Sequence, residues 1–356
     1  MRHIFVYNPV AGAGKAQKTE LPRILEAVRA AGVDYEIHRT TNAGEATLWV
    51  RRRLANAPET EMLRFYAVGG DGTLAEVLNG LYGAENAELA CIPIGSGNDF
   101  VRNFGGASGG EEHDPFLRVG AQIQGEAVPV DVMEFQFFQA EDEDADAGKP
   151  EDAGAGMDRL SESGAVRYAI NMLNIGFDAK VVAHTQHLKK TRVLRGTAAY
   201  VAGVVTELAA YRPCRAQVKI GGNQPFDTPI LLAGVGNGRF SGGGFMGLPT
   251  ACVDDGLLDV SIIHSVSRLE FLRLVGKYHA GTHTDDPLLV GRIFQWQARQ
   301  VSFTPVGPLT LSVDGEPVRT QTPFRIRLAE KPVRFALPAG VCPLKRTADE
   351  ASEIVK

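Results

Sequence analysis

The sequence predicts an α/β domain with a parallel sheet in three layers, followed by an all-β domain of sandwich type. Three observations carry this. Before about residue 127, short apolar runs alternate with stretches of helical periodicity. Beyond it, apolar residues recur mainly at every second position. Where one apolar run meets one helical stretch stands Gly69-Gly70-Asp71-Gly72-Thr73, a loop of three glycines around one acid.

Residues 3–7 (His-Ile-Phe-Val-Tyr) read as a first strand, and 20–31 as a helix that stops at Gly32. Residues 34–39 follow as a strand and 43–55 as a helix. The apolar run 65–68 is a buried strand. Residues 73–82 form a helix with Leu74, Val77, Leu78 and Leu81 on one face, and 89–94 a further strand. Strands alternating with helices of this length make right-handed βαβ units and a parallel sheet. Ligands of such sheets bind at the carboxyl ends of the strands. Here those ends carry Asn8-Pro9-Val10-Ala11-Gly12-Ala13-Gly14-Lys15, Thr40-Thr41, the Gly69 loop and Gly95-Ser96-Gly97-Asn98-Asp99-Phe100. Alternating runs then cover 128–138, 166–175, 216–220, 229–235, 258–263, 309–313, 324–328 and 333–337, with Gly221-Gly222-Asn223 as a hairpin turn. Helices interrupt them near 196–210 and 268–280. The expected organisation is an α/β domain over 1–127, a β-rich domain over 128–317, and C-terminal strands in 318–345 that can return to the first domain.

The chain has 356 residues, of which 44% are hydrophobic, enough for a real core and ordinary for a globular protein. Its net charge of −5 hides an uneven distribution. Residues 141–158 hold eight acids against one lysine, a charge of −7, so the remainder carries +2. That acidic insertion has no apolar period and reads as a solvated loop, its spacing unlike a calcium-binding hand. The four cysteines are scattered, as expected of reduced thiols in a cytoplasmic protein. The N-terminus turns polar too early for a signal peptide, and no apolar run reaches membrane-spanning length. No nucleic-acid partner is expected.

The Gly69 loop suits a phosphate. Glycines let the backbone approach closely, and a helix start supplies free N–H groups with positive potential. The acid inside it, Asp71, would repel a polyphosphate unless a cation such as Mg²⁺ bridged the two. An ordinary Gly-rich strand-to-helix turn would look the same in isolation. The loop lacks the Gly-Lys-Ser/Thr of a P-loop and the spacing of a dinucleotide fingerprint.

Three motifs in this order, Gly-Gly-Asp-Gly-Thr at 69–73, Gly-Ser-Gly-Asn-Asp-Phe at 95–100 and Val-Asp-Gly-Glu-Pro at 313–317, resemble the diacylglycerol kinase catalytic-domain family in its soluble bacterial lipid kinase branch. The resemblance spans nearly the whole chain. It implies ATP bound between an α/β domain of the NAD kinase and diacylglycerol kinase type and a β-sandwich, with transfer of the γ-phosphoryl group to a lipid hydroxyl, diacylglycerol first. By position it implies ATP contacts at Asn8, Pro9, Val10, Ala11, Gly12, Thr41, Gly70, Asp71, Gly72, Thr73, Leu74, Ala75, Glu76 and Ser96. It puts Asp71, Asp99 and Asp131 around a catalytic Mg²⁺ and makes Glu316 the general base. A structural Mg²⁺ would sit in the acidic turn at 250–260, held by the Cys252 and Leu257 carbonyls and by Asp255, with Asp254 and Asp259 as unranked helpers. Ala75 departs from the asparagine frequent at that place in the family, and the insertion at 141–158 is long.

Each acid has a plainer reading. Asp99 or Asn98 could cap a helix near Phe100, Asp131 could end a strand, and Glu316 could be a turn residue. Phosphoryl transfer nonetheless asks for such carboxylates: several to hold Mg²⁺ and one to accept the hydroxyl proton. A lipid substrate implies peripheral membrane contact at the inner face. Lys189, Lys190, Arg192 and Arg195 beside the apolar stretch 198–211, or the Gly-rich loop 241–247, are the two places for it. A homodimer is compatible with the family. Two other functions stay open, an NAD kinase-like soluble kinase and a nucleotide-binding regulator without catalysis.

Overall fold

A computed structural model describes residues 1–105, 115–139, 165–190 and 212–346. Strands β1 (Arg2–Tyr7), β2 (Tyr35–Arg39), β3 (Leu63–Gly69) and β4 (Ala87–Pro93) form the parallel part of a six-stranded sheet, ordered β2-β1-β3-β4. Helices α1 (Leu21–Ala31) and α4 (Val119–Gln124) cover one face; α2 (Glu45–Ala55) and α3 (Asp71–Leu81) cover the other. α1 has a proline in its first turn and ends on Gly32, whose φ of 63° suits the left-handed C-cap that glycine adopts at least cost. Leu74, Val77, Leu78 and Leu81 of α3 are buried against β3 and β4.

Two more six-stranded sheets, both antiparallel, make the second layer pair. One has the order β10-β9-β16-β19-β6-β7 and the other β15-β14-β11-β8-β17-β18. In the first are β6 (Met133–Phe137), β7 (Val166–Ala169), β9 (Cys214–Ile220), β10 (Phe226–Ile230), β16 (Gln300–Pro305) and β19 (Phe324–Leu328). In the second are β8 (Met172–Gly176), β11 (Leu232–Gly236), β14 (Leu258–Ile263), β15 (Ile293–Ala298), β17 (Leu309–Val313) and β18 (Glu316–Thr320), while β12 (Phe240–Ser241) and β13 (Phe245–Met246) pair as a short separate ribbon. Their inner faces share one core, with Phe135, Phe303 and Phe324 opposite Leu173, Val235, Val260 and Leu311. This is a β-sandwich. Two helices flank it, α5 (Phe177–Lys190) and α6 (Arg268–Ala280), the latter started by a capping box of Ser267 and Glu270.

Three runs expected as single strands are each broken by a change of sheet. Residues 128–138 divide into β5 (Ala127–Val130) on the parallel sheet and β6 in the sandwich. Residues 166–175 divide into β7 and β8, in opposite sheets, as do 229–235 into β10 and β11. Alternation continues through such a corner, so a period of two does not reveal it. Of the segment 318–345, only β20 (Val333–Ala336) lies on the first sheet, between β4 and β5; β19 stays in the sandwich. The chain therefore leaves the first sheet after Val130 and returns at Val333. The acidic insertion 141–158, Arg192, Arg195 and the stretch 198–211 lie outside the described residues, and Lys189 and Lys190 enter only as α5 backbone.

Candidate active site

β3 ends at Gly69, and α3 begins with Asp71 as its first residue, Gly70 being the N-cap. The helix thus starts two residues earlier than its apolar period suggests, and the Asp71 carboxylate stands at the positive end of the α3 dipole. Its Oδ2 accepts the N–H of Asn98 at 2.9 Å, and its Oδ1 that of Asp99 at 3.0 Å. The loop after β4 is thereby hung on the loop after β3. Asn98 closes that second loop. Its Oδ1 accepts the Gly95 N–H and its Nδ2 donates to the Gly95 carbonyl, both at 3.0 Å. Asn98 therefore does not cap the following helical turn; it shapes the Gly-Ser-Gly bend.

The glycines are required by contact. A Cβ on Gly95 would stand 2.4 Å from the Gly70 Cα. One on Gly97 would stand 2.6 Å from Asp71 Oδ2 and 3.4 Å from Asp99 Oδ2. Both carboxylates therefore reach the same spot beneath Gly97. Asp99 turns away from its own helical turn and accepts the Gly243 N–H with both oxygens, at 3.1 and 2.9 Å. That bond brings the Gly-rich loop 241–247 of the sandwich against the strand-end loops of the first domain.

From the sandwich come Asp314 and Glu316, on the tight β17–β18 turn. Asp314 is buried with φ 45° and accepts three consecutive N–H groups: Ile170 at 2.8 Å, Asn171 at 3.1 Å and Met172 at 3.0 Å. It fixes the corner between β7 and β8, and lines with Asp71, Asp99, Asn171 and Ser241 a pocket of about 40 Å³. Glu316 stands over the start of α3, its Oε1 3.8 Å from the Cβ position of Gly72. Its other oxygen is paired with Arg167 at 2.5 Å.

Burial dominates the charge balance. It pushes the Asp71 carboxyl up to about 7, helped by the neighbouring Asp99 charge and, more weakly, by Asp314. Asp99 and Asp314 are raised too, again by burial, although both accept backbone N–H groups. Two carboxylates side by side, with Arg102 at 3.7 Å from Asp99 as the nearby cation, are hard oxygen donors of the kind that suits Mg²⁺. The pH dependence follows with a definite sign. Asp71 holds its proton to about 7 in the fold but only to 3.8 when unfolded. The folded state then binds more protons over that range, and stability present below it falls as pH rises through about 7. The ion-free protein is expected to melt lower near pH ~8 than near pH ~6. D71N should show a shallower slope in calorimetry across pH; an unchanged slope would contradict the charge balance described.

The other sequence-nominated residues are placed as follows. Asn8 accepts the Val10 N–H at 3.1 Å, and Gly12, φ 58°, lies so near the β4 end that a Cβ would stand 2.6 Å from the Ile94 carbonyl oxygen. Asn8, Pro9, Val10, Ala11 and Gly12 thus line the same edge as the Gly69 and Gly95 loops. Ser96 is exposed at the tip of its loop, and Thr41 is exposed beyond β2, its N–H given to Glu45 at 3.0 Å. Thr73, Leu74 and Ala75 are buried, and the N–H groups of Thr73 and Leu74 are donated to the Gly70 carbonyl at 2.9 and 3.1 Å. Glu76 turns to α2 and accepts the Ala46 N–H at 3.2 Å.

Asp131 does not join Asp71 and Asp99. Its N–H goes to Val253 and its Oδ2 accepts the Gly256 N–H, both at 2.7 Å, so it belongs to the acidic turn at 250–260. Burial raises its carboxyl, and Asp255 and Asp254 add to the rise. In that turn Asp255 is already engaged, by the Leu257 N–H at 3.1 Å and by Arg346 at 2.8 Å. Cys252 is buried. Among the described residues no three metal-type side chains converge. At the turn where the resemblance implied a structural Mg²⁺, the Asp255 carboxylate is thus shared between a backbone N–H and the Arg346 guanidinium. Sequence reasoning passed over Asp314 and Arg167. An aspartate before glycine reads as an ordinary turn, and its positive φ leaves no mark in the sequence.

Comparison with known proteins shows the family and the fold. The family model of the diacylglycerol kinase catalytic domain matches residues 2–135, and that of the YegS C-terminal NAD kinase beta sandwich-like domain matches 171–336. A probable lipid kinase YegS-like of Pseudomonas fluorescens is 30% identical over 328 residues, 91% of this chain and 92% of that protein. A diacylglycerol kinase of Bacillus subtilis is 28% identical over 314 residues, 87% and 88% of the two chains. The crystal structure of a putative diacylglycerol kinase from Bacillus anthracis superposes with a TM-score of 0.65 at 22% identity, covering 95% of this chain and 97% of that one, which shows a shared fold.

Proposed function

The chain belongs to the family of bacterial lipid kinases that includes the YegS-like proteins and diacylglycerol kinases, and from that premise we propose that it transfers the γ-phosphoryl group of ATP, with Mg²⁺, to a lipid hydroxyl, in the first place that of diacylglycerol, giving phosphatidic acid. The observation that carries this is the meeting of Asp71 and Asp99 beneath the Gly95–Gly97 bend with Glu316 above Gly72. Acids from both sides of the cleft stand where a phosphate cradled by the α3 N-terminus would lie.

The residues divide the work. The strand-end loops at 8–12, 69–73 and 95–98 surround the triphosphate, which lies against the positive N-terminus of α3. Asp71 and Asp99 would hold Mg²⁺, which when bound supplies positive charge to the phosphate oxygens. Asp314 keeps the β7–β8 corner, and with it Arg167, in register with Glu316. Glu316 takes the proton of the lipid hydroxyl at the oxygen facing Gly72. As that proton leaves, the lipid oxygen bonds to the γ-phosphorus and the bond to ADP breaks in line. Arg167 positions Glu316. Peripheral membrane contact by the lipid-facing side is part of the same reading, since the acceptor is a lipid; among the described residues no helix is long and apolar enough to cross a membrane.

Diacylglycerol in mixed micelles with ATP and Mg²⁺ tests the acceptor. Phosphatidic acid is the expected product. Phosphorylation of a sphingoid base or phosphatidylglycerol in preference to diacylglycerol would overturn that acceptor and leave the lipid kinase standing.

A further inference from the structure

After β20 the chain does not stop at the first sheet. Residues 337–346 run as a strap along the domain junction to the acidic turn of the sandwich. Leu337 is bonded to the Glu126 carbonyl at 2.9 Å. Cys342 accepts the Gly105 N–H at 2.7 Å, Pro343 bridges to Phe104, and the Leu344 N–H donates to Asn103 at 2.8 Å. Asn103 sits one short helical turn after Asp99. Its Oδ1 also accepts the N–H of Arg239 at 2.7 Å, and the buried Arg239 guanidinium donates to the carbonyls of Ala251 at 2.9 Å and Lys345 at 3.0 Å.

The strap ends in two cations that land on the acidic turn. Lys345 pairs with Asp254. Arg346 pairs with Asp255 at 2.8 Å and Asp259 at 2.9 Å, and its Nε donates to the Thr250 carbonyl at 2.5 Å. The Arg346 side chain is 16% exposed and that of Asp259 5%, so this pair is largely removed from water. Three oxygens from one turn, two carboxylate and one carbonyl, are thus satisfied by a single guanidinium. A divalent cation at this turn would use oxygens of the same kind and neutralise the same charge. The planar fork of an arginine suits several fixed oxygens at once and never loses its charge.

We propose that Arg346, assisted by Lys345, is the resident countercharge of the acidic turn, so that the turn takes a divalent cation only when the strap is displaced. The same strap ties the turn to the segment that carries Asp99. Its docking therefore holds the two sides of the cleft together without metal at this place.

Thermal unfolding in EDTA and in millimolar Mg²⁺, without nucleotide or lipid, tests this on the full chain. It is read on the parent, R346A, D255N and the double variant R346A/D255N. The expected result has three parts. Any Mg²⁺ response of the parent is unchanged by D255N. R346A melts lower in EDTA and regains much of the loss in Mg²⁺. R346A/D255N does not regain it. A rise of the parent in Mg²⁺ that D255N abolishes would overturn the proposal, because the ion would then share the turn with the docked strap. So would an R346A protein that folds and gains nothing from Mg²⁺. Should R346A fail to accumulate, R346Q is read by the same criteria. The readout needs no phosphoryl transfer, so its failure would leave the kinase reading untouched.

Discussion

Replacing Asp71 with asparagine is expected to lower phosphoryl transfer by about 10²–10³-fold while the protein stays folded, the loss typical of removing one preorganised electrostatic group. The substitution keeps the shape and one acceptor oxygen. One of the two N–H groups that Asp71 holds, those of Asn98 and Asp99, loses its partner. That local cost is about 1–3 kcal/mol. Against it stands the removal of a buried carboxylate that burial and Asp99 already push up to about 7. The two effects oppose each other, so the Tm near neutral pH should move little while activity collapses. The Mg²⁺ concentration needed for half-maximal rate should rise as well, since one of two adjacent oxygen ligands is gone. Steady-state kinetics over a Mg²⁺ titration, with a melting curve as control, would check this. A D71N protein that melts as the parent does and turns over as fast would remove Asp71 from the machinery.

Glu316→Gln is expected to cost about 10²–10⁴ in kcat, the usual worth of a positioned general base, with little change in the KM for ATP. Glu316 reaches the site from the β-sandwich, two residues beyond the buried turn aspartate, and stands over Gly72 of the first domain. It has no part in the loop network of Asp71, Asn98 and Asp99, so its loss should leave the nucleotide cradle unaltered. The glutamine keeps the size and loses the charge that Arg167 pairs with at 2.5 Å. At 30% exposure for the Glu316 side chain that ion pair is partly screened, and its loss should cost the fold little. The diagnostic result is the split, with kcat down and KM for ATP held. A variant with both parameters intact would return Glu316 to the plain role of a turn residue.

The parallel sheet was legible because each βα unit has its own period and stop signal, as with Gly32 after α1. The four Gly-, Thr- and Asn-bearing loops fall on one edge for the same reason. The sandwich was legible as strands but not as two sheets. At Asp131, Asn171 and Leu231 the chain changes sheet with its alternation undisturbed. β15 and β16 were missed because Gln295, Gln297 and Gln300 dilute their apolar pattern. In the site, the Asp71 and Asp99 loops were found by motif, and their contact through the Asp99 N–H gives that nomination a geometry. Asp131 was grouped with them through the resemblance; its place is decided by a backbone bond to Val253 across 122 positions of sequence, which no local pattern reports. The ion pairs of Arg346 were equally hidden, since they join residues 87 and more positions apart.

Incubation with γ-labelled ATP, Mg²⁺ and a total lipid extract, with NAD in a parallel reaction, tests the central claim most directly. The account predicts label in a phospholipid product, none in NAD, and a near-complete loss of lipid label with D71N or E316Q. Label appearing in NAD and in no lipid, or lipid label undiminished in both variants, would contradict it.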